Sequence, residues 1–455
     1  MRFPKSRPYS LRTNPWGSLV DRILITALSA VEPEKALLEK VTREGNILRV
    51  NDRTFDLSEI DQIYVIGAGK AAEPMALGIG KLLGDRISRG LVITKYGHAT
   101  PDILPEVIRV LEAGHPIPDD RGIQATEKML TLLESTHPDD LVICLISGGG
   151  SALLTAPMPS VTLSDLQDLT CALLACGATI HEINAVRKHL DRVKGGQLAR
   201  IASPAAILTL VLSDVVGDDL DVIASGPTVP DPSSFEQALG ILRRYDLLER
   251  VNPSIQKVLY DGMTGRLAET PKPGDPIFSK VSNVIIGSNN IAGAAATREA
   301  QNLGFNALLL TNYLQGEASQ VGRVAAALLR QISKYGGPLP RPTCLILGGE
   351  TTVTLKGSGL GGRNLELALS AVEDLSGIEN IALVSLATDG GDGPTDAAGA
   401  IVTGETAARA RAADLHPFAF LKNNDSYHFF EKLEDLLITG PTRTNVNDLI
   451  FLFAF

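Results

Sequence analysis

Lys70 lies inside a Gly67-Ala68-Gly69-Lys70-Ala71-Ala72 run, directly after an apolar strand-like stretch and before a helix-like one. Glycines allow a tight turn and close backbone approach, and the exposed N–H groups of a helix start favour a phosphate or carboxylate. Gly67 and Gly69 are therefore candidate anion-binding positions, and Lys70 would stand beside the anion. A solvated lysine at a helix start is the plainer alternative. A second turn, Ser147-Gly148-Gly149-Gly150-Ser151, follows another apolar run. Three consecutive glycines cost backbone entropy, so a simple connector explains them poorly.

Two further glycine-rich places lie toward the C-terminus. Gly348-Gly349-Glu350 precedes the loop Gly357-Ser358-Gly359-Leu360-Gly361-Gly362, which opens a helix at Arg363-Asn364. A cation in the first turn opposes the helix dipole, which suggests that Arg363 answers to a bound anion. Asp389-Gly390-Gly391-Asp392-Gly393 follows an apolar strand, and its aspartates could hold Mg²⁺ directly or through water. An Asx-turn series fits them equally well. Asp214, closing the strand at Ile207 to Leu212, could orient a metal or accept a hydroxyl proton. His115 ends another strand-like run and is a candidate substrate or phosphate ligand, although a lone histidine is more often a structural donor. Lys188 belongs to the one basic segment of the chain, Asn184 to Leu190, for which a solvated helix face is the default.

These turns need strands to present them. Apolar runs at Ile63 to Ile66, Leu91 to Ile93, Leu141 to Ile146, Ile207 to Leu212, Val284 to Ile286, Ala307 to Leu310, Cys344 to Leu347 and Ile381 to Ala387 alternate with helix-like segments. That is the pattern of a mostly parallel sheet covered by helices, an α/β protein. At 455 residues two domains are expected. Three prolines and three glycines between Asp261 and Pro276 leave no periodic face, so the boundary is placed there: residues 1–260, a linker at 261–280, and residues 281–455.

Composition removes several function classes. A formal charge of −10 argues against a nucleic-acid or anionic-membrane surface, so any anion must be held locally. No apolar run is long enough to span a bilayer, and no signal-peptide core follows the basic N-terminus, which points to a cytoplasmic protein. The four cysteines lack zinc-site spacing and are expected to be reduced core residues. The first turn also fits the dinucleotide pattern G-x-G-x-x-A, but that pattern expects an acid at the end of the second strand, where Thr94-Lys95 stands.

The runs GAGKAA, AGHPIPD, SGGGSAL, INAVRKHLDRVKGGQLA, LSDVVGDDLDVIASGPTV, GGETTV, GLGGRNLELAL, ATDGGDGPTDAAGA and GPTRTNVNDL occur in an order that resembles the glycerate 2-kinases carrying a C-terminal MOFRL domain. The resemblance covers nearly the whole chain. It implies two α/β/α domains, an N-terminal Rossmann-like parallel sheet and a C-terminal mixed-sheet MOFRL-type domain. It further implies ATP-dependent phosphorylation of D-glycerate to 2-phosphoglycerate, with a divalent cation, in a cleft between the domains. The lysine and arginine that the family holds to be catalytic match Lys70 and Arg363. The expected site combines these with Asp214, ATP phosphates on the Ser147 to Ser151 turn and perhaps on the Gly357 to Gly362 loop, and Mg²⁺ on Asp389 or Asp392. D-glycerate and ATP are the expected partners, for a monomer or homodimer. An NAD(P)H-dependent hydroxypyruvate reductase is the alternative, and a non-enzymatic sugar-acid sensor a third.

Overall fold

The computed structural model describes residues 7–100 and 104–455. They form two compact units: Pro33–Ile286, and the segments up to Glu32 and from Gly287 onward together. The first unit begins with a small antiparallel sheet, β1 (Val41–Glu44), β2 (Ile47–Val50) and β3 (Arg53–Asp56). Its main sheet contains β4 (Ile63–Ala68), β5 (Arg89–Lys95), β6 (Ile108–Ala113), β7 (Leu141–Ser147), β8 (Ala206–Leu212) and β9 (Val281–Gly287), in the order β6-β5-β4-β7-β8-β9. The four adjacent pairs from β6 to β8 are all parallel. Every residue of β4 and β7 is buried, as a strand covered by helices on both faces requires.

The strand order reverses direction between β4 and β7, and ligands of doubly wound sheets bind at such a switch, beyond the carboxyl ends of the strands. Lys70 follows β4 and the triple glycine follows β7. Both chemical turns therefore fall at the switch.

The second unit has a mixed sheet of β10 (Asn306–Leu314), β11 (Thr343–Gly349), β12 (Ile381–Ala387), β13 (Gly399–Thr403), β14 (Leu436–Leu437) and β15 (Asp448–Ala454), ordered β10-β11-β15-β12-β13-β14. β10 and β11 run parallel, whereas β15 enters antiparallel between β11 and β12. Its first residue, Asp448, consequently faces Gly349 on one side and Ala387 on the other, where the GGE and TDGGD turns begin. Phe451, Phe453, Phe429 and Phe430 fill the cores around it.

The fold class agrees with the sequence, but the boundaries need correction. Residues 7–32 belong to the second unit: Trp16 stacks on Phe455 at 4.3 Å, Arg22 pairs with Glu299, and Val31 O accepts from Thr444 Oγ1 at 2.6 Å. The stretch 261–280 is not a linker. Arg200 donates to Glu269 O at 2.8 Å, Asp231 N to Pro271 O at 2.9 Å, and Thr270 Oγ1 to Asp231 Oδ2 at 2.9 Å, so it is laced onto the first unit through polar groups that no apolar periodicity reveals. Cys144 and Cys344 are buried in strands as expected, but Cys171 is exposed on the helix Leu163–Ala175 and Cys176 is half-buried at its end; all four are free thiols. No helix among the described residues is long and apolar enough to cross a membrane.

Candidate active site

At the switch point the Gly67 to Ala72 turn is closed by its own protein. Gly69 N donates to Ile93 O at 3.1 Å, Lys70 N to Gly148 O at 2.9 Å, and Ala71 N to Ser147 Oγ at 2.9 Å. Gly69 has φ 136°, and a Cβ there would lie 2.1 Å from Ser147 Oγ; on Gly67 one would lie 2.8 Å from Leu145 O. These glycines serve close packing of β4 on β7 rather than holding an anion through their amides. The expectation of direct anion binding by Gly67 and Gly69 is corrected accordingly, and the dinucleotide pattern loses the N–H groups it would need. What the turn presents is the partly exposed Lys70 side chain, with no ion-pair partner among the described residues.

The neighbouring turn is different. The amides of Gly148, Gly149, Gly150 and Ser151 have no acceptor among the described residues. Gly149 is left-handed (φ 84°), and a Cβ on it would meet His115 at 2.8 Å (Cδ2) and 2.9 Å (Nε2). A Cβ on Gly148 would lie 2.0 Å from Asp214 Oδ2. His115 and Asp214 thus press on two sides of a turn whose N–H groups remain open. Partial burial, then the charges of Lys70, Lys95 and His98, lower the His115 pKa to about 4. Its imidazole is neutral at physiological pH. Structure therefore brings together Lys70, His115, Asp214 and Ser147 to Ser151.

Lys188 does not join them, nor is it solvated. It is 3% exposed and pairs with Asp221 at 3.2 Å and Asp231 at 3.3 Å, so its charge is spent inside the unit. Two carboxylates leave it little attraction for a further anion.

In the second unit a cleft of about 1060 Å³ is lined by Glu350, Thr351, the Gly357 to Gly362 loop, Arg363, Glu366, Asp389 and Asp392. Five consecutive amides of that loop are already used. Lys356 N and Gly357 N donate to Asn424 Oδ1 (2.7 and 2.9 Å), Ser358 N to Asn423 Oδ1 (3.4 Å), Gly359 N to Asn423 O (2.9 Å), and Leu360 N to Asp425 Oδ1 (2.9 Å). Of the phosphate cradle expected on the Gly357 to Gly362 loop, the amides from Gly357 to Leu360 are accordingly spent.

Arg363 opens the helix Arg363–Ala371 and is held by protein carboxylates. Its Nε and Nη2 donate to Asp448 Oδ2 (2.6 Å) and Oδ1 (3.2 Å), and its Nη1 to Glu350 Oε1 (2.5 Å). Burial disfavours the guanidinium charge, but Asp448 and Glu350 outweigh it and raise the pKa further. Burial of Asp448 moves its pKa up to about 7 even against the arginine. Three of the five guanidinium N–H groups are committed among the described residues, leaving two for a ligand.

Asp392 is 2% exposed and takes Asn364 N (3.0 Å) and Leu365 N (2.8 Å), thereby capping the same helix from a distant loop. Burial raises its pKa. Asn364 is buried too, donating to Asp392 at 3.3 Å and accepting from Ser385 Oγ at 2.7 Å. Both residues hold the helix start, not the cleft contents. Among the described residues the Asp389 side chain accepts the Gly391 amide, at 3.2 Å, in the expected Asx geometry, and its backbone oxygen accepts from Thr442 N at 3.2 Å. No group of three or more His, Cys, Asp or Glu side chains among the described residues is arranged around a metal position. Mg²⁺ commonly takes one or two carboxylates and completes its shell with phosphate oxygens and water, so Asp389 and the acidic cleft fit a cation brought with its nucleotide better than an all-protein cage.

Sequence reasoning missed Asp448 and Asn424. An isolated acid opening the last apolar strand was the available sign for Asp448; the run Asn423-Asn424-Asp425 was the sign for the loop anchor.

An α/β protein with cation-bearing turns at its strand ends is defined by these observations. Family models match the Domain of unknown function (DUF4147) at residues 19–260 and the MOFRL family at residues 343–448. A D-glycerate 2-kinase of Thermotoga maritima is 44% identical over 95% of this chain and 97% of its own. A putative hydroxypyruvate reductase of Agrobacterium vitis is 44% identical over 85% of each chain. The crystal structure of a Thermotoga maritima glycerate kinase superposes with a TM-score of 0.86 at 42% identity, covering 96% of this chain and 99% of that one. The chain belongs to the glycerate 2-kinase family of enzymes.

Proposed function

We propose that the protein transfers the γ-phosphoryl group of ATP to the C2 hydroxyl of D-glycerate, giving 2-phosphoglycerate. The observation that carries this is the turn Gly148 to Ser151, with four amides uncommitted among the described residues, beside Lys70, His115 and Asp214 at the switch point of the sheet. Phosphoryl transfer asks for positioning and for positive charge where the transferred group spreads its negative charge. The four amides receive phosphate oxygens. Lys70 neutralises the phosphoryl group in flight, and Asp214 takes the proton of the attacking hydroxyl. Neutral His115 contributes a hydrogen bond without adding charge. In the cleft of the second unit, Arg363 is pinned in direction by Asp448 and Glu350 and keeps two N–H groups suited to a carboxylate or a phosphate. In the same cleft Asp389 would hold Mg²⁺, which supplies charge neutralisation for phosphate oxygens.

The relatives named glycerate kinases support this reaction, and the names containing hydroxypyruvate reductase mark the alternative. Nothing in the Gly67 to Ala72 turn favours a dinucleotide, since its amides are spent and β5 ends in Thr94-Lys95. The test supplies D-glycerate and MgATP and measures ADP, and separately follows nicotinamide absorbance with hydroxypyruvate. ADP release without nicotinamide oxidation is expected, and enolase without a mutase should convert the product. Nicotinamide oxidation without ADP would overturn the kinase.

A further inference from the structure

Two stretches of the first unit have no part in the chemistry so far: the segment Asn184 to Gly196 and the turn Ala224-Ser225-Gly226. They meet behind the phosphate turn. Ser151 Oγ lies 2.8 Å from Ser225 Oγ, and Ser225 Oγ lies 3.0 Å from Asn184 Oδ1. Ser225 and Asn184 are buried, at 0% and 3% exposure.

The turn is strained. Ala224 (φ 51°), Ser225 (φ 61°) and Gly226 (φ 64°) are all left-handed, which is unfavourable for the first two. It is held in place because Gly195 N donates to Ser225 O at 2.9 Å and Gly196 N to Gly226 O at 2.7 Å. The basic segment thus clamps a backbone that aims one hydroxyl at Ser151.

That aim fixes a direction of hydrogen bonding. An amide oxygen has no proton to give, so Ser225 donates its single proton to Asn184. Ser151 must then donate its own proton to Ser225, and only lone pairs of Ser151 Oγ remain for a ligand. Phosphate oxygens gain nothing from lone pairs. A substrate hydroxyl does. A neutral serine hydroxyl cannot hold a second proton, which makes Ser151 a poor base for the attacking hydroxyl and a suitable hydrogen-bond acceptor for the one that does not react.

We infer that Ser225 is a positioning residue that, with Asn184, turns Ser151 into an acceptor for the non-reacting C3 hydroxyl of the hydroxy acid, so that this relay reads substrate identity while the backbone amides hold the nucleotide. The inference rests on the glycerate reading above. If wild-type enzyme makes no ADP with D-glycerate, that reading fails first and separately.

The experiment compares wild type with Ser225→Ala, which keeps the strained backbone, and Ser225→Gly, which relaxes it. Each is assayed with D-glycerate and with D-lactate, which lacks the C3 hydroxyl, and ADP binding is measured by calorimetry. Both variants should raise KM for D-glycerate roughly tenfold, as expected for one lost hydrogen bond to a buried polar group. The preference for D-glycerate over D-lactate should shrink by the same factor, and ADP affinity should stay within twofold. Unchanged discrimination in both variants would overturn the inference. So would loss of ADP affinity parallel to the rise in KM, because the turn itself would then have collapsed.

Discussion

The two glycine-rich turns that follow buried strands in the two units look alike in sequence and differ in where their amides go. Gly148 to Ser151 leaves four N–H groups without an acceptor among the described residues, with His115 and Asp214 against its flanks. Lys356 to Leu360 gives five N–H groups to Asn423, Asn424 and Asp425. Glycine permits both outcomes, since it allows close approach by a ligand or by another stretch of chain. The neighbouring polar side chains decide which. The cations differ likewise: Lys70 has no ion pair among the described residues, whereas Arg363 is tied to two carboxylates.

The largest effect should come from the cations. Lys70→Ala should lower kcat by roughly 10²–10³-fold, the usual cost of removing one charge-stabilising group from a transition state. Its thermal unfolding should match wild type. Arg363→Ala should also lose turnover, but it orphans the buried Asp448 and should lower unfolding free energy by roughly 3 kcal/mol, measured by denaturant titration. Equal stability in the two variants would erase the contrast between the units.

A smaller effect tests the closed loop. Asn424→Ala removes the acceptor of two amides and the 2.6 Å donor to Glu366, so stability should fall by about 1–3 kcal/mol. The KM for ATP should hardly move. A large rise would mean that this loop does bind phosphate.

The smallest effect concerns pH. His115 has a folded pKa of about 4 against an ordinary value of 6.5. Between these values the unfolded chain binds more protons, so this group's contribution to stability is complete above pH 6.5 and fades as pH falls toward 4. His115→Asn should therefore flatten the wild-type slope of unfolding free energy over that window, as read by urea titrations at several pH values. An unchanged slope would remove His115 from its half-buried place against Gly149.

Much of the frame was legible because buried parallel strands announce themselves as apolar runs: β4, β7, β8, β11 and β12 all fall where the sequence puts them. The β1 to β3 meander was not, since charged residues such as Arg43, Arg49 and Arg53 interrupt its alternation. Lys70, Asp214, His115 and the triple glycine were legible as residue types at strand ends. Whether an amide is open or spent was not, because the partners lie far along the chain: Ser147 for Ala71, Asn424 for Gly357, Asp392 for Leu365. Lys188 was misjudged for the same reason, its carboxylates standing at 221 and 231.

The placement of β15 has a bearing on the order of assembly. Residues 448–454 occupy an interior position of the second sheet, and residues 7–32 pack into the same unit. Chains emerge from the ribosome N-terminus first, and domains generally fold as units. Pro33–Ile286 is continuous and can complete its core early. The helices at 9–29, synthesised before it, must wait for partners translated more than two hundred residues later. During that interval their apolar faces, with Val20, Ile23, Leu24 and Leu28, stand uncovered and are the segment of the nascent chain for which a chaperone would have most use.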